Sequence, residues 1–494
     1  MKKIIHFILT VSVFAGLSSC EKFLDEKPIH ALTDENAITS ASKAKAAIGG
    51  IYATFQNDNW AGALFGAHAS KAGFMNYVQG DYNMEYSQTS GGNTACWQAF
   101  YKSLNAANFA IAGISQLPAA AISAAEKDAM LAEARCLRAW VHANLLWNYG
   151  HWWSDDADPD GLLYRDEVMD LKNVRRARIS VGESYAKIYE DLDAAIASLH
   201  DISSPRYVSK QFAQALKAKL LLYRGGYQND QVALKASLDL VNDVLTNHPA
   251  SFAMEADMND IYRNAWDSKE NLFVRYLEDN GTRTSSGGYY YTYGLVYAGN
   301  KLPLPVGGTL TAGLRYGVDW FKADPRWDVA TGPVRSPETW DNTFNHTFKK
   351  VCRLGSYAGR NTSPTDEKYA AYYFRFAELY LMKAELLART GATAAAAIAP
   401  VNEMRARRTT PALPALVPAD INDAMNMIFK EIFIELCLEN GSEFFAAVRF
   451  KNNGQPWIVT IKDAKPLEEN RMCWPIPDAE IINNPEMTQN ADLK

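Results

Sequence analysis

Only one string in the chain spaces oxygen ligands as an ion would need them. Asp156, Asp158 and Asp160 alternate, Gly161 follows, and Glu167 stands six positions beyond the glycine. That is the order in which a D-x-D-x-D-G-x5-E loop offers oxygens to Ca²⁺ while glycine makes the turn. Leu163 holds the usual apolar position, but Pro159 is unusual there and no helical pattern follows Glu167. Calcium at Asp156, Asp158, Asp160 and Glu167 is therefore one expectation, and a solvated acidic loop after Tyr149-Gly150 is the other. A second carboxylate pair, Glu378 and Glu385, lies on a helical pattern and could suggest acid–base work. Arg375, Lys383 and Arg389 are close enough in sequence to pair with them, so they read as ion-pairing groups. The eight histidines make no H-E-x-x-H, and the chain has no G-x-S-x-G, no G-x-G-x-x-G and no phosphate loop. No residue is nominated as catalytic, and the chain is not expected to be an enzyme.

Binding chemistry is better represented. Segments rich in Gly, Asn, Ser and Thr carry Trp60, Tyr82 beside Asn83, Tyr289, Tyr291 and Trp320. Sugars present flat C–H faces and a rim of hydroxyls. Aromatic rings cover such faces, and amides and charged groups hydrogen-bond the rim. Those six residues are the expected ligand contacts. Trp97 and Trp140 keep helical spacing with apolar neighbours and are assigned to the core.

The elements that must position these residues are mainly helical. Apolar residues recur with helical period from Trp97, over 123–149, and at about 181–199, 210–223 and 230–246. The C-terminal half adds 371–389, 394–408 and 420–439. Short links within pairs point to a tetratricopeptide-like array, in which each pair buries its face on the next; an irregular all-α bundle would give the same helices. The stretches 57–95, 248–370 and 451–494 do not read as helix. Loops so long are usually functional, and Asn271 to Tyr276 reads as strand within them.

The N-terminus carries its own chemistry. Lys2 and Lys3 precede an apolar run from Ile4 to Leu17, shorter than the roughly 20 residues that span a bilayer. Leu17-Ser18-Ser19-Cys20 closes it and resembles a bacterial lipobox, which implies cleavage before Cys20 and acyl chains on that cysteine. Residues 1–19 are thus a lipoprotein signal peptide, and Cys20 is the lipid attachment site. The other cysteines are widely spaced without C-x-x-C, which fits neither a disulfide framework nor a zinc site. Cys136 and Cys437 read as small buried hydrophobes. A hydrophobic content of 48% is that of a globular chain, and a net charge of −6 argues against nucleic acid as a partner.

Several strings, in order, carry a family resemblance. They are CEKFLDEKP at 20–28, WQAFYKSLNAAN at 97–108, EARCLRAWVHANLLWNYG at 133–150 and DPR at 324–326. RFAELYLMKAELLAR at 375–389, VNEMRARR at 401–408, EIFIELCLENGSEFFAAVRF at 431–450 and WPIPDAEIINNPEMTQN at 474–490 follow. The chain resembles the SusD/RagB family of outer-membrane nutrient-binding lipoproteins. It departs where many members place Arg and Asp after E-G, having Glu439-Asn440-Gly441-Ser442-Glu443 and Ala446-Ala447 instead. The resemblance implies a SusD-like fold: a tetratricopeptide-like helical scaffold with a long-loop, partly β ligand side. It implies one SusD-like domain over 20–494, with an N-terminal part at about 20–230 and a C-terminal part at about 270–494. It also implies a protein at the cell surface, lipid-anchored in the outer membrane, that binds an oligosaccharide and passes it to a SusC-like TonB-dependent transporter. A peptide ligand, as in RagB-like uptake, and a glycan-degrading lipoprotein are the alternatives.

Overall fold

The computed structural model describes residues 37–74, 79–89, 91–278, 295–297, 320, 323–333, 345–348, 368–462, 464–490 and 493. In the N-terminal half the helices are α1 (Ala41–Thr54), α2 (Gly62–Lys71), α3 (Gln79–Asn83), α4 (Gly91–Ser115) and α5 (Ala124–Tyr149). They continue with α6 (Val181–Ser198), α7 (Lys210–Gln228), α8 (Gln231–Thr246) and α9 (Met258–Asn264). Strands β1 (Asn271–Glu278) and β2 (Leu295–Tyr297), helix α10 (Arg326–Ala330), then β3 (Thr331–Pro333), β4 (Asn345–Phe348) and β5 (Lys368–Arg375) follow. The chain closes with α11 (Phe376–Arg389), α12 (Ala394–Arg405), α13 (Ile421–Leu436), α14 (Ser442–Arg449), the hairpin β6 (Lys451–Asn452) and β7 (Gln455–Pro456), α15 (Trp457–Ile461) and α16 (Asp478–Asn483).

The helix starts follow local chemistry. Ser123 and Ser180 each accept the N–H of a glutamate three residues on, Glu126 and Glu183, satisfying a donor that the first turn leaves without a partner. Ser40, Ser209, Asp230, Thr393 and Asp420 cap α1, α7, α8, α12 and α13 in the same way. Consecutive helices pack as pairs, α4 on α5, α7 on α8 and α11 on α12, and α8 also meets α11. This is the tetratricopeptide-like scaffold expected from the short links.

Two boundaries differ from the expectation. Helix α7 runs through Gly225 and Gly226 rather than ending before them. A Cβ on Gly225 would lie 3.0 Å from that of Ala233, so glycine there lets α8 close on α7. Residues 371–375 are strand, not helix. Their aromatic run Tyr372-Tyr373-Phe374 pairs antiparallel with β1, Val274 opposite Tyr372 and Arg275 opposite Ala371. The segment 57–95 is also more helical than its composition suggests, since it holds α2, α3 and the start of α4.

The core is aromatic where scaffold and sheet meet. Trp140 of α5 packs on Phe212 of α7, Phe273 of β1 and Tyr373 of β5, with centroids at 5.8, 6.3 and 5.4 Å. Cys96, Cys136, Cys437 and Cys473 are buried, as read for Cys136 and Cys437. Burial pushes the Cys96 and Cys473 thiols up to about 12, so they are packing groups and not nucleophiles. Among the described residues no helix is long and apolar enough to cross a membrane.

Candidate functional site

The strings shared with the family lead to buried ion pairs rather than to a cleft. Arg375, at the β5–α11 junction, bonds Glu270 at 2.7 Å, Glu435 at 3.1 Å and Glu439 at 2.8 Å. Arg408 bonds Glu270 and Glu435 from the other side. Arg326 of the Asp-Pro-Arg string holds Asp324 and Glu431, and Arg405 also reaches Glu431. Glu385 takes Arg449 and Arg389, each at 2.8 Å, and Glu378 takes Lys219 at 2.6 Å. Burial would raise the Glu385 carboxyl, but the two guanidinium groups outweigh it and hold the group below its ordinary value. Glu378 and Glu385 are therefore ion-pairing groups, as their spacing suggested.

The acidic loop is also spoken for by cations. Asp156, 80% exposed, bonds Arg224 at 2.6 Å. Asp158 accepts from His151 Nδ1 at 3.0 Å and from the Asp160 N–H at 2.8 Å. Asp160 takes Arg178 at 3.0 Å, and Glu167 pairs with Arg176. The next helix, α6, starts only at Val181. Asp156, Asp160 and Glu167 thus go to three different arginines while Asp158 and Asp160 share His151, so the four carboxylates do not converge on one point as the calcium expectation requires. Among the described residues only His151, Asp158 and Asp160 bring possible ligand atoms within 4.8 Å of one another, and there Arg178 already occupies Asp160.

Of the expected ligand contacts, Trp60 is a core residue. It is 0% exposed, its indole N–H donates to Ser103 Oγ at 3.0 Å, and its ring lies 4.4 Å from that of Phe100. The short turn Asp58–Trp60 folds it inward against α4, so it cannot reach a ligand. Tyr289 and Tyr291 lie outside the described residues, and so does Cys20.

Tyr82, Asn83 and Trp320 are brought to the same short helix. Tyr82 and Asn83 end α3, and both are half-buried. Met84, at φ 57°, then reverses the chain. The Tyr82 carbonyl accepts the Lys462 ammonium at 2.7 Å, and the same ammonium lies 5.7 Å from its ring centroid. Lys462 immediately follows α15, whose first residue, Trp457, is 5.7 Å from Trp320 in an edge-on contact. Trp457 stacks on Phe429 of α13 at 4.6 Å, which fixes α15 to the scaffold. Lys430 of the same helix sits 5.0 Å over the Trp320 ring.

Beside α15 opens a cleft of about 300 Å³. Asn83, Lys462, Lys465 and Arg471 supply polar groups on its rim, over Met84, Ile458 and Leu467. Its carboxylates are exposed and engaged: Glu85 accepts from the Asn83 amide at 3.2 Å, and Glu468 pairs with Arg471. Burial and then Lys71 bring the Lys462 amine down to about 7, with Lys465 adding to the effect and Asp81 opposing it. Lys71 itself is fully buried, 4.3 Å over the Trp474 ring, and burial lowers it to about 8. Asp81, bonded by the Trp474 N–H at 2.8 Å, is raised by burial. Apolar floor, amide and ammonium donors suit a hydroxyl- or anion-bearing ligand held without covalent chemistry. Lys462, Lys465 and Arg471 were missed because 451–494 reads as loop; the dense charge of KDAKPLEENR at 462–471 was the available signal.

A larger cleft, about 770 Å³, lies on the helical face between α1, α5 and the 199–209 link. It holds none of the expected contacts.

Comparison with known proteins places both halves of the chain in one group. The model of the SusD family matches residues 321–492, and a SusD-like model described as starch-binding associating with outer membrane matches residues 22–222. SusD-like protein P38 of Formosa agariphila is 23% identical, covering 98% of this chain and 98% of its own length. A SusD superfamily protein from Bacteroides thetaiotaomicron superposes with a TM-score of 0.70 at 20% identity, over 92% of this chain and 100% of that one. A laminarin-binding SusD-like protein gives 0.68 at 19% identity, again over 92% and 100%.

Proposed function

Because the chain belongs to the SusD/RagB family, we propose that it is a cell-surface lipoprotein that binds an oligosaccharide and delivers it to a SusC-like TonB-dependent transporter. The family consists of binding proteins that are not enzymes. The observation that carries the ligand reading is the cleft beside α15, where Asn83 meets ammonium donors over an apolar floor and Lys462 ties the rim to the Tyr82 carbonyl. Half-buried Tyr82 and Trp320 adjoin the cleft through Lys462 and Trp457 without lining it, and theirs are the rings this reading assigns to a sugar face while Asn83, on the rim, reaches its hydroxyls. Similarity to a laminarin-binding protein of the same fold supports a glycan over other nutrients.

In this reading residues 20–494 form a single domain tethered through Cys20 to the outer membrane. Two or more acyl chains anchor stably where one would not. The helical face becomes scaffold and transporter contact, and the side that carries α3 and α15 receives the ligand. A glycan and peptide array probed with the full chain in detergent tests this. Retention on a polysaccharide, with no product released, is expected. Binding to peptides alone would overturn the glycan reading, and release of oligosaccharide products would overturn the non-catalytic one. Affinity capture through a tagged C-terminus should co-purify an outer-membrane barrel, and its absence would remove the transporter partner.

A further inference from the structure

From the charge of this same cleft, and resting on the glycan-binding reading above, we propose that the sugar it accepts is anionic, bearing carboxylate or sulfate groups. The chain as a whole is acidic, with a net charge of −6, yet among the described residues three cations line this cleft against two carboxylates. The carboxylates are already used: Glu468 by Arg471 and Glu85 by the Asn83 amide. Lys462 and Lys465 have no carboxylate within salt-bridge distance among the described residues, and the one hydrogen bond that Lys462 makes goes to a neutral carbonyl, that of Tyr82.

An ammonium group half out of water beside a second cation is costly unless an anion joins it. Behind Lys462 stands Lys71, wholly buried, and among the described residues the acid that acts on both is Asp81, which spends one oxygen on the Trp474 indole. Burial and Lys71 already weaken the hold of Lys462 on its proton. The arrangement therefore carries positive charge that no described side chain of the cleft neutralises, and it points that charge at the same rim as Asn83. A neutral sugar would leave this charge as costly as before; a uronate or sulfate ester would relieve it. Charge-assisted hydrogen bonds of this kind are about twice as strong as neutral ones.

Titration calorimetry on the full chain in detergent tests the proposal with four probes: an oligogalacturonate, a sulfated galactan oligosaccharide, a laminarin oligosaccharide and poly-glutamate. One of the acidic glycans should bind, and its affinity should fall as NaCl rises from low to high concentration. Lys465→Met, at an exposed position, should lower that affinity about tenfold with an unchanged melting temperature, whereas Lys465→Arg should retain it. Lys462→Met should act in the same direction. The oligogalacturonate and sulfated arms tell carboxylate from sulfate. Laminarin bound as tightly as either, with Lys465→Met silent, would overturn the anionic ligand and leave the glycan reading standing. Poly-glutamate bound with no glycan bound, or no probe bound at all, would overturn both.

Discussion

Arg375→Met is the perturbation that tests most directly what the family motifs are for. Arg375 is 1% exposed and uses every donor it has. Nε and Nη2 take both oxygens of Glu439, Nη1 takes Glu270 and Glu435, and Nη2 also reaches the Glu435 carbonyl. Methionine fills part of the volume but leaves Glu270 and Glu435 sharing Arg408, and takes from Glu439 its bidentate partner. Breaking a buried ion pair from one side costs about 3–5 kcal/mol, because the remaining charge stays desolvated. At about 2.1 cal/mol/K per residue, a chain of this length unfolds with an entropy near 1 kcal/mol/K. The loss should therefore lower the melting temperature by about 3–5 °C, read by intrinsic tryptophan fluorescence. The pH dependence carries a sign. In the variant the stranded carboxylates are raised above their unfolded values, so the folded form binds more protons in that window. The deficit should then shrink towards pH 5 and grow towards pH 8. The control is Arg263→Ala, which removes a surface pair 69% exposed on the arginine side and should shift stability by under about 0.5 kcal/mol. If Arg375→Met cost no more than that control, or if its deficit were flat with pH, the buried network would not be what the motifs encode.

Gly441→Ala should be destabilising by about 2–4 kcal/mol in urea titration: Gly441 has φ +72°, and a Cβ there would lie 2.3 Å from His68 Nδ1, an imidazole that burial drives down to about 3 and Asn148 holds at 2.9 Å. A loss below about 1 kcal/mol would mean that the His68 contact gives way freely. Tyr82→Ala and Trp320→Ala should each weaken glycan retention on affinity gels about tenfold with little change in melting temperature, and unchanged retention would move the ligand elsewhere. Binding of an acidic glycan should weaken from pH 6 to pH 8.5. Lys462, at about 7 and facing Lys71, Lys465 and Asp81, loses its charge across that interval, and calorimetry at several pH values reads it. A Cys20→Ala chain should lose palmitate labelling and move to the soluble fraction; membrane retention would refute the anchor.

Much of the scaffold was legible because its signals are local. The helical periods over 123–149, 181–199 and 210–223 announce α5, α6 and α7 without any knowledge of the rest. What depended on distant partners was not legible. Residues 371–375 look helical alone and become strand because β1, about a hundred residues earlier, offers a ladder. Trp60 lies in a stretch of loop composition, yet α4 and the Ser103 hydroxyl draw it into the core. Acidic residues at ion-binding spacing between 156 and 167 pair outward instead, Asp156, Asp160 and Glu167 with arginines 224, 178 and 176 beyond the motif, and Asp158 with His151 before it.

The same contrast explains why the recognisable strings do not reveal the ligand. Glu270, Asp324, Arg326, Arg375, Arg405, Arg408, Glu431, Glu435 and Glu439 satisfy one another in the interior, and a change at any one strands its partners. Such residues are constrained by each other and hence visible as motifs. Among the described residues Lys462 and Lys465 meet no carboxylate within salt-bridge distance, Lys462 donating only to the Tyr82 carbonyl, and in the proposed reading their counter-charge comes from solution. A cation left unpaired at the rim of a cleft is poor scaffold chemistry, since it adds desolvation cost without a compensating contact. It becomes sensible only when the missing charge is part of the ligand, so the residues least determined by the fold say most about what the fold carries.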